Sequence, residues 1–181
     1  MGSPLAPVLA CLYMEMYETE MRFSLQGPQP TLWVRYVDDI LLQWSHSIEE
    51  FNAFLHNLNQ LEYLINLKVE REVPDPERPG FAMILFLDLC IHCAPSGLTF
   101  SVYRKPTSTE MYTHYFSSHP HSTKRGILIS LFLRAHRLCD DIHITGEIKH
   151  IRSTFLKLQY PSHVINQAMW TAKLSIGSII L

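Results

Sequence analysis

An α+β chain ending in a small all-α unit is what the sequence predicts, on three observations. Helical patterns alternate with β-forming runs as far as residue 103; three more helical patterns then follow with tight connections; and the charge changes sign between the two parts. At 181 residues, 47% apolar and 18% charged, the chain can bury a real core, which excludes disordered, collagenous and low-complexity classes. No apolar run reaches the ~18 residues of a membrane span, since the longest, Phe81–Cys93, is interrupted by Asp88 and His92. No cationic segment leads into an apolar one at the start, and four scattered cysteines make no disulfide framework. The expectation is an intracellular, nuclear protein without a membrane partner.

The elements follow in order. Ser3 is placed to cap a helix whose first position is Pro4, and Leu5, Val8, Leu9, Leu12 and Met16 carry it to about Met21. Gln26–Pro30 breaks it. Leu32–Trp44 reads as two strands of a hairpin with Asp38-Asp39 at the turn. Ser47 and Glu50 form a capping box, and Phe51, Phe54, Leu55, Leu58 and Leu61 line one face of the next helix. A short strand is expected over Asn66–Val73, a near-continuous one over Phe81–His92, and a third over Leu98–Tyr103 after the Ala94–Gly97 turn. Beyond Lys105-Pro106 the chain becomes polar and aromatic. Helices are then expected over Ser122–Cys139, from Thr145 through Leu158, and from Ser162 after Tyr160-Pro161, which together suit a helix-turn-helix arrangement. The composition break divides the chain into 1–105 and 106–181.

Net charge is −2, but residues 1–99 hold five Lys/Arg against thirteen acids, and residues 100–181 hold ten against four. Seven of the ten histidines lie in this second, cationic part. A basic half beside an acidic one suits a polyanion-facing region joined to something with another task.

Chemistry concentrates at Arg35-Tyr36-Val37-Asp38-Asp39-Ile40-Leu41-Leu42. Adjacent acids between apolar strands need compensation, and a divalent cation supplies it: Mg²⁺ takes one or two carboxylates plus substrate phosphates. Cys90 and Cys93 have zinc-like spacing, but no second pair accompanies them and residues three apart on a strand face opposite ways, so both read as core-strand residues. His114, His119 and His121 read as surface residues of a loop. No Ser/His/Asp arrangement, Gly-rich phosphate loop or dinucleotide fingerprint stands out in the sequence.

Tyr36-Val37-Asp38-Asp39 resembles the polymerase box of reverse transcriptases, and Gly2-Ser3-Pro4-Leu5-Ala6-Pro7-Val8-Leu9-Ala10 resembles the box that precedes it in that family. Phe86-Leu87-Asp88, Ser101–Thr107, Phe116–Pro120 with Lys124-Arg125-Gly126, and Tyr160-Pro161 before Val164-Ile165-Asn166 are similar to reverse transcriptases of Penelope-like retroelements of animals and the helix-turn-helix region that follows them. The resemblance spans nearly the whole chain. It implies a partial polymerase palm over 1–105 and Mg²⁺-dependent (or Mn²⁺-dependent) nucleotidyl transfer on an RNA template and DNA primer. Asp38 would be a catalytic metal ligand and Asp39 a weaker or orienting one. Gly2, Ser3 and Pro4 would lie near the nascent base pair, Tyr36 would be a further substrate- or nucleic-acid-binding residue, and Phe86–Asp88 would lie near the primer. Arg104, Lys105, Lys124 and Arg125 would contact nucleic-acid backbone, with Tyr103 available for stacking.

Departures from the family shape the expectation. No Asp precedes residue 38, although the family's chemistry uses a further aspartate upstream of the opening box, and Ala6 stands where Ser is frequent. Nothing resembles the fingers or the GIY-YIG endonuclease domain. The chain is therefore expected to be the second half of a palm plus the following helices, from a decayed element copy or truncated gene, and inactive as a polymerase by itself. The alternatives are a nucleic-acid-binding helical module without catalysis and a non-functional retroelement remnant.

Overall fold

A computed structural model of the chain describes residues 4–21, 25–62, 64–75, 80–94 and 96–177. Mixed helices and antiparallel sheets make it α+β with a helical C-terminal part, and the chain forms two compact units, 1–70 and 71–181. Residues 71–105 thus share a unit with the helices, so compactness and composition divide the chain at different places.

In the first unit, α1 (Ala6–Met16) follows Leu5 rather than the expected cap, with Pro7 in a first turn where its missing N–H costs nothing; Ser3 lies outside the described residues. At Tyr17 the helix widens into a π-helical turn, Tyr17–Met21. The Tyr17 ring is fully buried with its hydroxyl donating to Leu58 O at 3.0 Å, and burial pushes its phenol up to about 12. Strands β1 (Leu32–Tyr36) and β2 (Asp39–Gln43) pair antiparallel as expected. Helix α2 (Ile48–Leu61) has both capping-box bonds, Glu50 N to Ser47 Oγ at 3.2 Å and Ser47 N to Glu50 Oε2 at 2.9 Å. It packs Phe54 and Leu58 on Tyr17, with Trp33 and Trp44 closing the cluster.

The strand expected over Asn66–Val73 shrinks to β3 (Val73–Pro74). The physical reason is local: Asn59 occupies the backbone of Leu67, accepting from its N–H at 2.7 Å and donating to its C=O at 3.2 Å. Both polar groups are satisfied without a strand partner.

The second unit carries a four-stranded antiparallel sheet in the order β3-β4-β5-β6. The strand expected over Phe81–His92 is broken into β4 (Ala82–Phe86) and β5 (Leu89–Ala94) by a two-residue turn, Leu87-Asp88. Leu87 takes φ +55°, a left-handed conformation that normally marks glycine or asparagine, which explains why an apolar run concealed the turn. Strand β6 (Gly97–Val102) starts at a glycine with φ +134°, where an L side chain would be strained.

Three helices complete the unit: α3 (His121–Leu138), α4 (Asp141–Lys157) and α5 (Ser162–Gly177). Helix α4 begins four residues before Thr145, because Asp140 anchors its start on β6: Asp140 N donates to Phe100 O at 3.0 Å and Phe100 N to Asp140 Oδ2 at 2.8 Å. The α4–α5 turn is a Schellman closure. Gln159 takes φ +64°, its N–H reaches Leu156 O at 3.0 Å and the Tyr160 N–H reaches Phe155 O at 3.0 Å. Tyr160 then packs edge-on against Phe155 with ring centroids 4.9 Å apart, and its hydroxyl donates to Thr113 O at 2.9 Å. Leu128, Phe132 and Ala135 of α3, Ile151 and Phe155 of α4, and Ile165, Ala168 and Ala172 of α5 form the core. Alanines at 135, 168 and 172 let α3 and α5 approach closely.

Candidate functional site

The hairpin β1–β2 places Val37 and Asp38 in its turn and Asp39 at the start of β2, paired with Tyr36. Tyr36, Asp38 and Asp39 are exposed. Val37 takes φ +56°, a strained position for a β-branched residue, and Arg35 braces the turn by donating from Nη1 to Val37 O at 3.1 Å while its Nε pairs with Glu18 Oε1 at 2.9 Å. That guanidinium is thus spent on Glu18 and a carbonyl. Among the described residues no ion pair or side-chain hydrogen bond engages Asp38 or Asp39, and no group of three or more His, Cys, Asp or Glu stands at metal-binding geometry. Pro4 is exposed ahead of α1; Gly2 and Ser3 lie outside the described residues.

The basic residues expected on a nucleic-acid surface separate into two kinds. Lys105 and Arg125 are exposed. Lys124 is not: it is 4% exposed, and its ammonium donates to Tyr115 O at 2.6 Å and Ser117 O at 2.7 Å. Contrary to the expectation of a phosphate contact, its ammonium is committed to two backbone carbonyls and clips the 115–117 loop to α3. Arg104 is likewise engaged, its Nη atoms on the Glu147 carboxylate and its Nε on Glu110 Oε1 at 2.7 Å. Burial works against its charge, but the two carboxylates overcome this and hold the guanidinium more firmly protonated than a free arginine. His150 joins them through Glu110 Oε1 at 2.8 Å.

Sequence reasoning missed one constellation. His92 of β5 is buried, with Nδ1 3.1 Å from Asp75 Oδ2 and Nε2 2.8 Å from Ser101 Oγ, and its ring stacks on His143 of α4 at 4.6 Å. The order Asp–His–Ser is that of an activated nucleophile. Its setting is that of a clasp: Ser101 lies within β6, facing Cys90 across the ladder, while the open depression of about 600 Å³ beside β4 is lined by residues such as Glu72, Phe81 and Cys93 and by none of the three. The signal was out of reach, since only the sheet register brings residues 75, 92 and 101 together. Cys90 is buried and Cys93 half-buried on the same strand, in keeping with core-strand residues.

The other arrangement the sequence did not single out is the outer face of α5. His163, Asn166, Gln167, Trp170, Lys173 and Leu174 are exposed at helical spacing. Arg125 of α3 reaches this helix, donating to Thr171 Oγ1 at 3.2 Å, and Arg152 of α4 donates to Asn166 Oδ1. No acid stands on α5. The four acids of residues 100–181 are held elsewhere: Glu110 and Glu147 on Arg104, Asp140 on the Phe100 N–H, and Asp141 in the first turn of α4. Burial first, and the nearby Lys173 charge second, lower the pKa of His136 below the ordinary imidazole value, disfavouring its charged form.

The helices from the Tyr112–Tyr115 loop onward therefore close around one core, joined by a four-residue turn between α4 and α5. Residues 111–170 match the family described as the animal helix-turn-helix domain. The match begins where Met111 enters the loop that packs on Tyr160 and ends within α5, at Trp170. Comparison with curated proteins and with solved structures finds no match. Among the described residues no helix is long and apolar enough to cross a membrane.

Proposed function

We propose that residues 106–181, with the helix-turn-helix segment at their centre, are a nucleic-acid-binding module. The carrying observation is the segregation of charge: no acid stands on α5, Glu110 and Glu147 are paired with Arg104 and Asp140 is bonded to the Phe100 N–H, while Arg125, Arg152 and Lys173 stand on α5 or against it. The family match supports the same reading. Phosphates are the natural partner of such a surface, and their neutralisation releases counterions. Fluorescence anisotropy of a labelled oligonucleotide with the full chain tests it. Three phosphate contacts predict roughly 20- to 40-fold weaker binding between about 50 and 200 mM salt. Asp38→Ala leaves this affinity unchanged. No binding at low salt overturns the proposal.

The hairpin favours a second reading for the first unit: descent from an RNA-directed DNA polymerase, with Asp38 and Asp39 as ligands of Mg²⁺ or Mn²⁺ and an RNA template and DNA primer as the parent's partners. Its support is an exposed acid pair on a braced two-residue turn, together with the resemblance in the surrounding residues. Two carboxylates fit an ion that completes its shell with water and substrate phosphates. When bound, such an ion activates a 3′-hydroxyl and neutralises the leaving pyrophosphate. Titration of the full chain with Mn²⁺ is expected to broaden the amide resonances of residues 37–39 selectively, and Asp38→Asn to remove the effect. Uniform broadening, or none, contradicts this reading.

A further inference from the structure

Resting on the nucleic-acid reading of the helical unit, we infer that α5 is its base-contacting face and that Trp170 is a stacking platform for an unpaired base, so that the module takes single-stranded nucleic acid. Trp170 is 60% exposed, the largest side chain on the outer face of α5, and the Lys173 ammonium stands over its ring, 5.9 Å from the centroid. One turn earlier stand Asn166 and Gln167, and two turns earlier His163, all exposed. Arg152 and Arg125 flank this stripe from α4 and α3 through their bonds to Asn166 and Thr171.

Each part has a role in gripping a single strand. The flanking guanidiniums and Lys173 meet backbone phosphates. The amides of Asn166 and Gln167 carry both donors and acceptors, which suits the edges of bases that are not paired to one another. The indole decides between strand types. In a duplex the faces of the bases are covered by their neighbours, and the side chains that read groove edges are Arg, Lys, Asn and Gln rather than Trp. A largely exposed indole with a cation over its ring finds its partner in an unstacked base, where base–aromatic stacking is strong and tolerant of sequence. The absence of any acid on α5 removes the repulsion that would keep a strand from lying along it.

The experiment uses the full chain with fluorescently labelled single-stranded DNA and RNA of about 12 nucleotides and the corresponding DNA duplex. Single strands are expected to bind more tightly than the duplex. Trp170→Ala is expected to weaken single-strand binding roughly 5- to 100-fold with an unchanged salt slope, while Trp170→Phe retains most of the affinity. Binding should also quench tryptophan emission in the unaltered chain and not in Trp170→Phe, because the other two tryptophans, Trp33 and Trp44, belong to the first unit. Circular dichroism melting checks that the exposed substitution leaves the fold intact. Salt-dependent binding that Trp170→Ala does not alter, or a duplex that outcompetes the single strand, overturns the inference and leaves the broader reading standing. Failure of the unaltered chain to bind any of the three probes removes both.

Discussion

Replacing Lys124 with Met is expected to destabilise the second unit by ~2–4 kcal/mol, because the two half-buried backbone carbonyls it satisfies, Tyr115 O and Ser117 O, lose a shared charged donor. Methionine keeps most of the aliphatic length, so the change isolates the ammonium. The loop involved matters beyond its own bonds. Tyr115 N donates to Leu158 O at 3.1 Å, and the Tyr115 ring sits edge-on to Tyr160 at 5.2 Å, so the clip also holds the aromatic cover of the α4–α5 turn. Urea denaturation followed by circular dichroism measures the loss. An unchanged midpoint combined with weakened oligonucleotide binding would instead place Lys124 on the phosphate surface and contradict its assignment as a clip.

Replacing His92 with Leu is expected to cost a similar ~2–4 kcal/mol. The imidazole bridges the end of β3 to β6 through Asp75 and Ser101, and without it the 7%-exposed Asp75 carboxylate loses its imidazole partner. The stacking with His143, which ties β5 to α4, is lost as well. A double-mutant cycle with Asp75→Ala separates these contributions. The two substitutions should be non-additive by roughly 0.5–3 kcal/mol, since each removes one side of the same bond. Additive costs would mean that the two groups do not act as a pair.

Legibility in the sequence followed the range of the interaction concerned. The Ser47–Glu50 capping box, the β1–β2 hairpin and the apolar face of α2 rest on neighbours within a few residues, and each has its expected form. The Leu87-Asp88 and Gln159 turns carry no glycine: Leu87 takes its left-handed conformation within the β4–β5 register, and the Schellman bonds hold Gln159 in its own. Long-range pairings were hidden for another reason. Lys124 and Arg125 are adjacent and chemically alike in the sequence, yet helical geometry turns one toward the 115–117 carbonyls and the other outward beside α5. The same holds for Arg104, whose two carboxylate partners lie 6 and 43 residues further along the chain. The cationic excess of the C-terminal half was therefore readable, but not which of its members face solvent.

The most direct measurement of the central claim, that the acid-free face of α5 and its flanking cations grip phosphates, is the slope of log affinity against log salt. It should be taken for the full chain and for the Arg125→Ala/Lys173→Ala variant. Each cation removed is expected to flatten the slope by about 0.7–0.9, so the pair should reduce its magnitude by roughly 1.4–1.8. A variant whose slope and affinity equal those of the unaltered chain would contradict the account, because the phosphates would then lie against some other surface.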